Sequence, residues 1–95
     1  MTQHYLVGEL SFLLGELQTV TTNEASAREV ARLRYEAETT PPTALQSVAV
    51  RALVLTDCLC WDSLTRADAA TFSRQATVCA ELHEFGVCAG LLDEE

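Results

Sequence analysis

Hydrophobic residues recur at helical spacing through the first fifth of the chain. From about His4 to Val20 they fall within about a third of the circumference of a helix in which each residue advances by 100°. This pattern predicts an amphipathic helix whose apolar stripe faces a core. The stripe consists of Leu6, Val7, Leu10, Leu13, Leu14, Leu17 and Val20.

Two glycines, Gly8 and Gly15, lie on the opposite side of this predicted helix. They either admit a close-packed second helix or are tolerated on a solvent face at about 1 kcal/mol each. We therefore count this side of the helix among the candidate interaction surfaces.

A more polar helix is predicted after the stop at Thr21-Thr22-Asn23 and runs to about Glu38. Its N-cap is either Thr21, which has capping-box spacing to Glu24, or Asn23. A narrow apolar stripe and closely spaced opposite charges are typical of an outer helix with a salt-bridged solvent face. The stripe is Ala27, Val30, Leu33 and Ala37, and the expected ion pairs are Glu24–Arg28, Arg32–Glu36 and Arg34–Glu38.

The third predicted helix is apolar on nearly every side. Thr39-Thr40-Pro41-Pro42 separates it from the second helix, Thr43 is its expected cap, and it runs from Ala44 to Leu64. A strand over Val48–Leu55 is the alternative, but no partner strand is visible. One face carries Leu45, Val48, Ala52, Leu55 and Leu59, and the opposite face carries Val50, Val54 and Trp61. Three companion helices in so short a chain do not cover both faces, which predicts self-association.

The fourth predicted helix follows Thr65 and Asp68, which suggest a cap, and runs to about Phe85, with Gly86 as its terminating residue. It carries two apolar stripes. The first consists of Phe72, Ala76, Cys79 and His83, with Ala69 and Ala80 beside it; the second consists of Val78, Leu82 and Phe85. We therefore predict one all-α domain over residues 1–95, an up-and-down four-helix bundle that associates as a homodimer. The interface candidates are Val50, Val54, Trp61, Gly8 and Gly15.

Charge narrows the range of partners. The 95 residues carry a net charge of −8, which opposes binding to nucleic acid and to anionic membrane surfaces. No apolar run is long enough to span a bilayer, and no basic region precedes an apolar N-terminal stretch, so we expect a cytoplasmic protein. Lysine and isoleucine are both absent. Because their codons are A/T-rich, this indicates a bacterial genome rich in G and C.

Four cysteines raise the question of a metal or thiol site. Cys58 and Cys60 point about 200° apart on a helix. A hairpin near Thr65 would place Cys58 level with about Phe72 and Cys79 roughly 10 Å further along, with Cys88 beyond it. Because no centre gathers four ligands, we predict no metal site and assign the cysteines to core packing.

The segment Asp62-Ser63-Leu64 resembles the attachment motif of acyl carrier proteins, which are small acidic helical bundles. This resemblance implies a prosthetic arm on Ser63 at the start of a helix. The same Asp-Ser pair also fits turn and capping chemistry at a helix junction.

No catalytic constellation is evident, since the chain has neither a glycine-rich phosphate loop nor an activated nucleophile. We assign no catalytic residue and no cofactor. The expected function is protein interaction, as a regulatory or adaptor domain. The alternative is a bundle that binds a small molecule in a cavity lined by thiols or by His83, including the carrier function.

Overall fold

The computed structural model describes residues 2–41 and 44–92 and shows an all-α bundle. No strand occurs among these residues, so Val48–Leu55 is helical. The four helices are α1 (Thr2–Thr19), α2 (Glu24–Thr39), α3 (Leu45–Thr65) and α4 (Ala69–Cys88). These bounds agree with the predicted segments to within a few residues.

Two helices begin at residues that accept a hydrogen bond from the first turn. The Asn23 side chain accepts from the amide of Ser26 at 3.1 Å, and the Asp68 side chain accepts from that of Thr71 at 3.1 Å. Asn23 is therefore the cap of α2, because the Thr21 hydroxyl donates instead to the Leu17 carbonyl. Thr43, the expected cap of α3, lies outside the described residues.

The end of α4 differs from the prediction. Gly86 does not terminate the helix, which continues to Cys88. The residue with positive φ is Gly90, and the amides of Gly90 and Leu91 bond back to the carbonyls of Val87 and Gly86, which is a Schellman ending. Gly86 is instead buried within the helix. An added Cβ would lie 2.3 Å from Leu92 Cδ1, so the missing side chain leaves room for the returning chain.

Contacts between side chains show that neighbouring helices are antiparallel. Ser11 of α1 donates to Glu38 of α2, whereas Gly15, further along α1, meets the earlier residue Arg34. Helices α3 and α4 form a second hairpin of the same kind. The predicted stripes of α1 and α2 supply much of the core, which comprises Leu10, Leu13, Leu14, Leu17, Val30, Leu33, Ala37, Leu45, Val48, Ala52, Leu59, Val78 and Leu82.

Surface ion pairs form within α2 and between α2 and α3. Glu24–Arg28 and Arg34–Glu38 form as expected, at 3.4 and 3.7 Å. Arg32 pairs instead with Glu29, and Glu36 accepts two hydrogen bonds from Arg51 of α3. The hydrogen bond from Arg51 is the main reason that the pKa of Glu36 is lowered.

The bundle is flattened. Its principal extents are 42, 29 and 16 Å. Within the described residues, no helix has both the length and the apolarity that a membrane span requires.

Candidate docking groove

An open apolar groove of about 860 Å³ lies between α3 and α4. Val54, Trp61 and Leu64 are 59%, 61% and 51% exposed, although residues of this size and type are usually buried. Contiguous apolar surface of this kind marks interaction sites. The groove is lined by Leu53, Val54, Asp57, Cys58, Cys60, Trp61, Leu64, Phe72, Ala76, Cys79, Ala80 and His83.

The exposed stripe of α3 that borders the groove follows a heptad pattern. Five exposed residues recur at alternating spacings of four and three, which keeps them on one stripe of a helix. Four of them are apolar, and the central one is a carboxylate. These residues, which we call the α3 seam, are Val50, Val54, Asp57, Trp61 and Leu64. The opposite face of α3 is buried in the bundle, so this helix is apolar on both faces but covered on only one.

The α4 side of the groove is built from smaller side chains. Ala76, Cys79 and Ala80 leave the space between the helices open, while Phe72 and His83 stand further towards its ends. This is the first of the two predicted apolar stripes of α4. The second stripe faces the core through Val78 and Leu82, which are buried.

A buried polar contact sets the register between α3 and α4. The Ser63 hydroxyl donates to Gln75 Oε1 at 2.6 Å, and Gln75 Nε2 donates to the Val20 carbonyl at 3.0 Å. Ser63 and Gln75 are only 6% and 2% exposed. Two helices and the end of α1 are therefore joined through one amide side chain, whose oxygen and nitrogen are both hydrogen-bonded.

This register corrects the predicted hairpin geometry. With Ser63 opposite Gln75, antiparallel helices place Cys58 about level with Ala80 rather than with Phe72. Cys60 is therefore brought near Cys79, and both line the groove. Core packing is correct for Cys60, which is buried, but wrong for Cys58 and Cys88, which are exposed.

The surroundings of Cys60 and Cys79 raise the pKa of both thiols. Burial is the main reason that the pKa of Cys60 is raised, and repulsion from Cys79 and Asp57 adds to it. Burial and then Asp57 likewise raise the pKa of Cys79. The carboxylate of Asp57 thus lies near both thiols, and its charge opposes thiolate formation, which reactive cysteines require.

The remaining candidate residues are placed as follows. Ser63 lies in the last turn of α3, buried against Gln75, whereas the carrier resemblance implies a serine at a helix start. No group of three or more His, Cys, Asp or Glu side chains in the described part of the chain is arranged to hold a metal ion. An added Cβ at Gly8 would meet open space, whereas the Arg34 side chain covers Gly15.

A second, smaller cleft of about 390 Å³ lies between α1 and α4. Tyr5 and Phe12 are exposed on its α1 side, and acidic residues line it from both helices. Local loss of solvation raises the pKa of Glu81, and its contact with Glu16 raises it further. Like charges therefore gather here, with no arginine among the lining residues.

Of the predicted interface residues, Val54 and Trp61 line the groove, whereas Val50 is exposed on the same stripe of α3 but is not among the lining residues. Three of the thiols and His83, which the small-molecule alternative placed in a cavity, also line the groove. The 4-3 spacing would have added Asp57 and Leu64 to the same seam. The assignment of the first α4 stripe had a weaker signal. Its Ala, Cys and His residues are less hydrophobic than Val78, Leu82 and Phe85, which favours the latter for the core.

No protein-family model, curated protein or solved structure matches this chain significantly.

Proposed function

We propose that this protein is a small interaction domain that works as an adaptor or regulator without chemistry of its own. The groove between α3 and α4 is its docking surface. The observation that carries the proposal is the α3 seam, in which Val54, Trp61 and Leu64 stand more than half exposed on a regular helix.

The shape of the surface suits a helical partner. A groove between two antiparallel helices receives an amphipathic helix whose apolar residues fill the space between them. Aromatic residues such as Trp61 commonly contribute most of the binding energy at the centre of such interfaces. The small residues Ala76 and Ala80 allow the backbone of an incoming helix to approach α4 closely.

Homodimerisation through the same surface is a second candidate, favoured by the surplus apolar face of α3. Two copies would then cover each other's Val54 and Trp61. Small-molecule binding is a third candidate, favoured by the groove volume of about 860 Å³, which falls in the range of ligand pockets. The open length of the groove suits a helix better than a compact ligand.

Site-specific photocrosslinking in the native host tests the proposal. A photoreactive phenylalanine analogue is placed at Trp61 or, in a separate variant, at Val54. A matched control carries it at Tyr35, an aromatic residue of α2 that is equally exposed but lies outside the groove.

The proposal predicts one defined protein adduct from both groove positions and none from Tyr35. An adduct of twice the chain mass would assign the groove to a second copy, and an adduct with a small molecule would assign it to ligand binding. Equal labelling from all three positions, or no adduct at either groove position, would contradict a docking role.

A further inference from the structure

The charge at the middle of the groove specifies its occupant. We propose, on the basis of the proposed function, that the groove binds an amphipathic helix of a different protein. This helix has apolar residues at heptad spacing and, at its centre, one arginine or lysine that pairs with Asp57.

The length of the α3 seam sets the length of this helix. Val50 and Leu64 are fourteen residues apart in sequence, so the seam is about 21 Å long at 1.5 Å per residue. A partner helix of about four turns covers it. Such a helix presents apolar side chains to Val50, Val54, Trp61 and Leu64 and one further residue to the centre.

Asp57 decides what that central residue is. It is the third of the five seam residues, it lines the groove, and its charge reaches the thiols of Cys60 and Cys79. An apolar helix laid over the groove would remove water from this carboxylate without providing a new partner, which opposes binding. A guanidinium or ammonium group at the matching position restores a partner to the charge.

The groove itself contains few groups that could neutralise the negative charge of Asp57. The lining contains no arginine, and His83 on α4 is the sole other ionisable group besides the cysteines among its lining residues. The whole chain carries −8, which speeds the approach of a basic segment and slows that of an acidic one.

A second copy fits the groove poorly. In a two-fold dimer the same patch faces itself. If the two α3 seams run parallel, each residue faces the same residue of the second copy. If they run antiparallel and overlap fully, only the middle residue faces its own equivalent. In both arrangements Asp57 meets the same aspartate of the second copy in an apolar interface. The two copies also repel each other with a charge of −8 each.

Binding of three synthetic peptides tests the inference. Each is an 18-residue helix with leucines at heptad spacing and uncharged helix-forming residues elsewhere. The peptides differ only at the central seam position, which is arginine, leucine or glutamate. Trp61 is the sole tryptophan of the chain, so its fluorescence reports directly on the groove.

We expect the arginine peptide to bind at least about tenfold more tightly than the glutamate peptide. Two variants of Asp57, which is exposed, are tested with the same three peptides. Asp57→Asn should reduce the difference, and Asp57→Arg should reverse the order, with circular dichroism confirming that both variants fold. A reversal of preference is a result that a purely structural role of Asp57 does not produce.

Each other outcome overturns the inference in a distinguishable way. Equal binding of all three peptides would leave the groove as a docking surface but refute the basic partner. Tightest binding of the leucine peptide would do the same. Absence of binding together with a dimer in sedimentation would assign the groove to a second copy, and absence of binding by a monomer would refute the proposed function as well.

Discussion

At the scale of single residues, Ala67 and Gly90 hold the same position at two helix ends. In each case the residue has positive φ, 59° at Ala67 and 75° at Gly90. The amide of Ala67 bonds to the Leu64 carbonyl and that of Asp68 to the Ser63 carbonyl, which repeats the Schellman pattern that follows α4. Alanine pays a steric cost in this region that glycine does not.

Ala67→Gly should therefore stabilise the protein. Relief of the left-handed conformation outweighs the greater freedom of glycine in the unfolded chain, and we expect a gain of about 0.5–1 kcal/mol in the free energy of unfolding. Urea denaturation measures it. Gly90→Ala is the reciprocal control and should lose a similar amount. A loss of stability in Ala67→Gly would contradict the account of this turn.

At the scale of elements, Gln75 joins three helices. Its side chain accepts from Ser63 of α3 and donates to Val20, the residue that follows α1. No side-chain nitrogen or oxygen that is buried in the described residues lacks a hydrogen-bond partner. An unpaired buried polar group costs more free energy than a normal hydrogen bond contributes. Loss of the Gln75 side chain therefore destabilises the fold at both Ser63 and Val20.

Gln75→Leu should destabilise the protein by about 1–3 kcal/mol, since the Ser63 hydroxyl and the Val20 carbonyl both lose their partner. Denaturant unfolding measures the loss. Ser63→Ala alone should cost less, and the double variant should cost less than the two single changes together because the hydroxyl left unpaired has been removed. Strictly additive losses would show that the two residues do not interact.

The contact between α1 and α4 and the contact between α2 and α3 change the stability of the fold with pH in opposite directions. The pKa of Glu81 is raised by lost solvation and by Glu16, so its folded form binds a proton more readily than its unfolded form. Its charge therefore destabilises the fold above the raised pKa, and the penalty disappears as pH falls below the unfolded pKa. Glu36 has a lowered pKa because of Arg51, so it stabilises above the unfolded pKa and loses this effect in acid.

We expect Glu81→Gln to be more stable than the natural chain at pH 7, with the difference closing as pH is lowered through the carboxyl range. Glu36→Gln is the matched control, because it should be less stable at pH 7, and its deficit should likewise fade in acid. Thermal unfolding at a series of pH values tests both. A stability difference for Glu81→Gln that grows on acidification would contradict the sign of this argument.

Periodicity predicted the elements better than it predicted their contacts. The stripes of α1 and α2 depend on nearby residues alone and could be predicted from the sequence. The cap of α2 was predicted as either Thr21 or Asn23, and the hydrogen bond from Ser26 identifies Asn23. The Ser63–Gln75 contact depends on where two helices meet, and α4 carries two apolar stripes that differ only in how hydrophobic they are. That is why the cysteine register was wrong. The thiols and His83 were predicted to line a cavity only in the small-molecule alternative, and not as a surface for a protein partner.

At the scale of the whole molecule, α3 is apolar on both faces but covered on only one. The rest of the bundle packs against its face with Val48, Ala52 and Leu59, and the α3 seam is left exposed. The sequence predicted an excess of apolar surface on α3, but not the direction in which it faces or the charge at its centre. The central claim is that the α3 seam is open in the free chain and becomes covered when a partner helix docks.

Acrylamide quenching of Trp61 fluorescence tests this claim most directly. In the free protein at low micromolar concentration we predict quenching close to that of the urea-unfolded chain, because Trp61 is 61% exposed. Saturation with the arginine peptide should reduce it several-fold. Strong protection of Trp61 in the free folded protein, or quenching that the bound peptide leaves unchanged, would contradict the account.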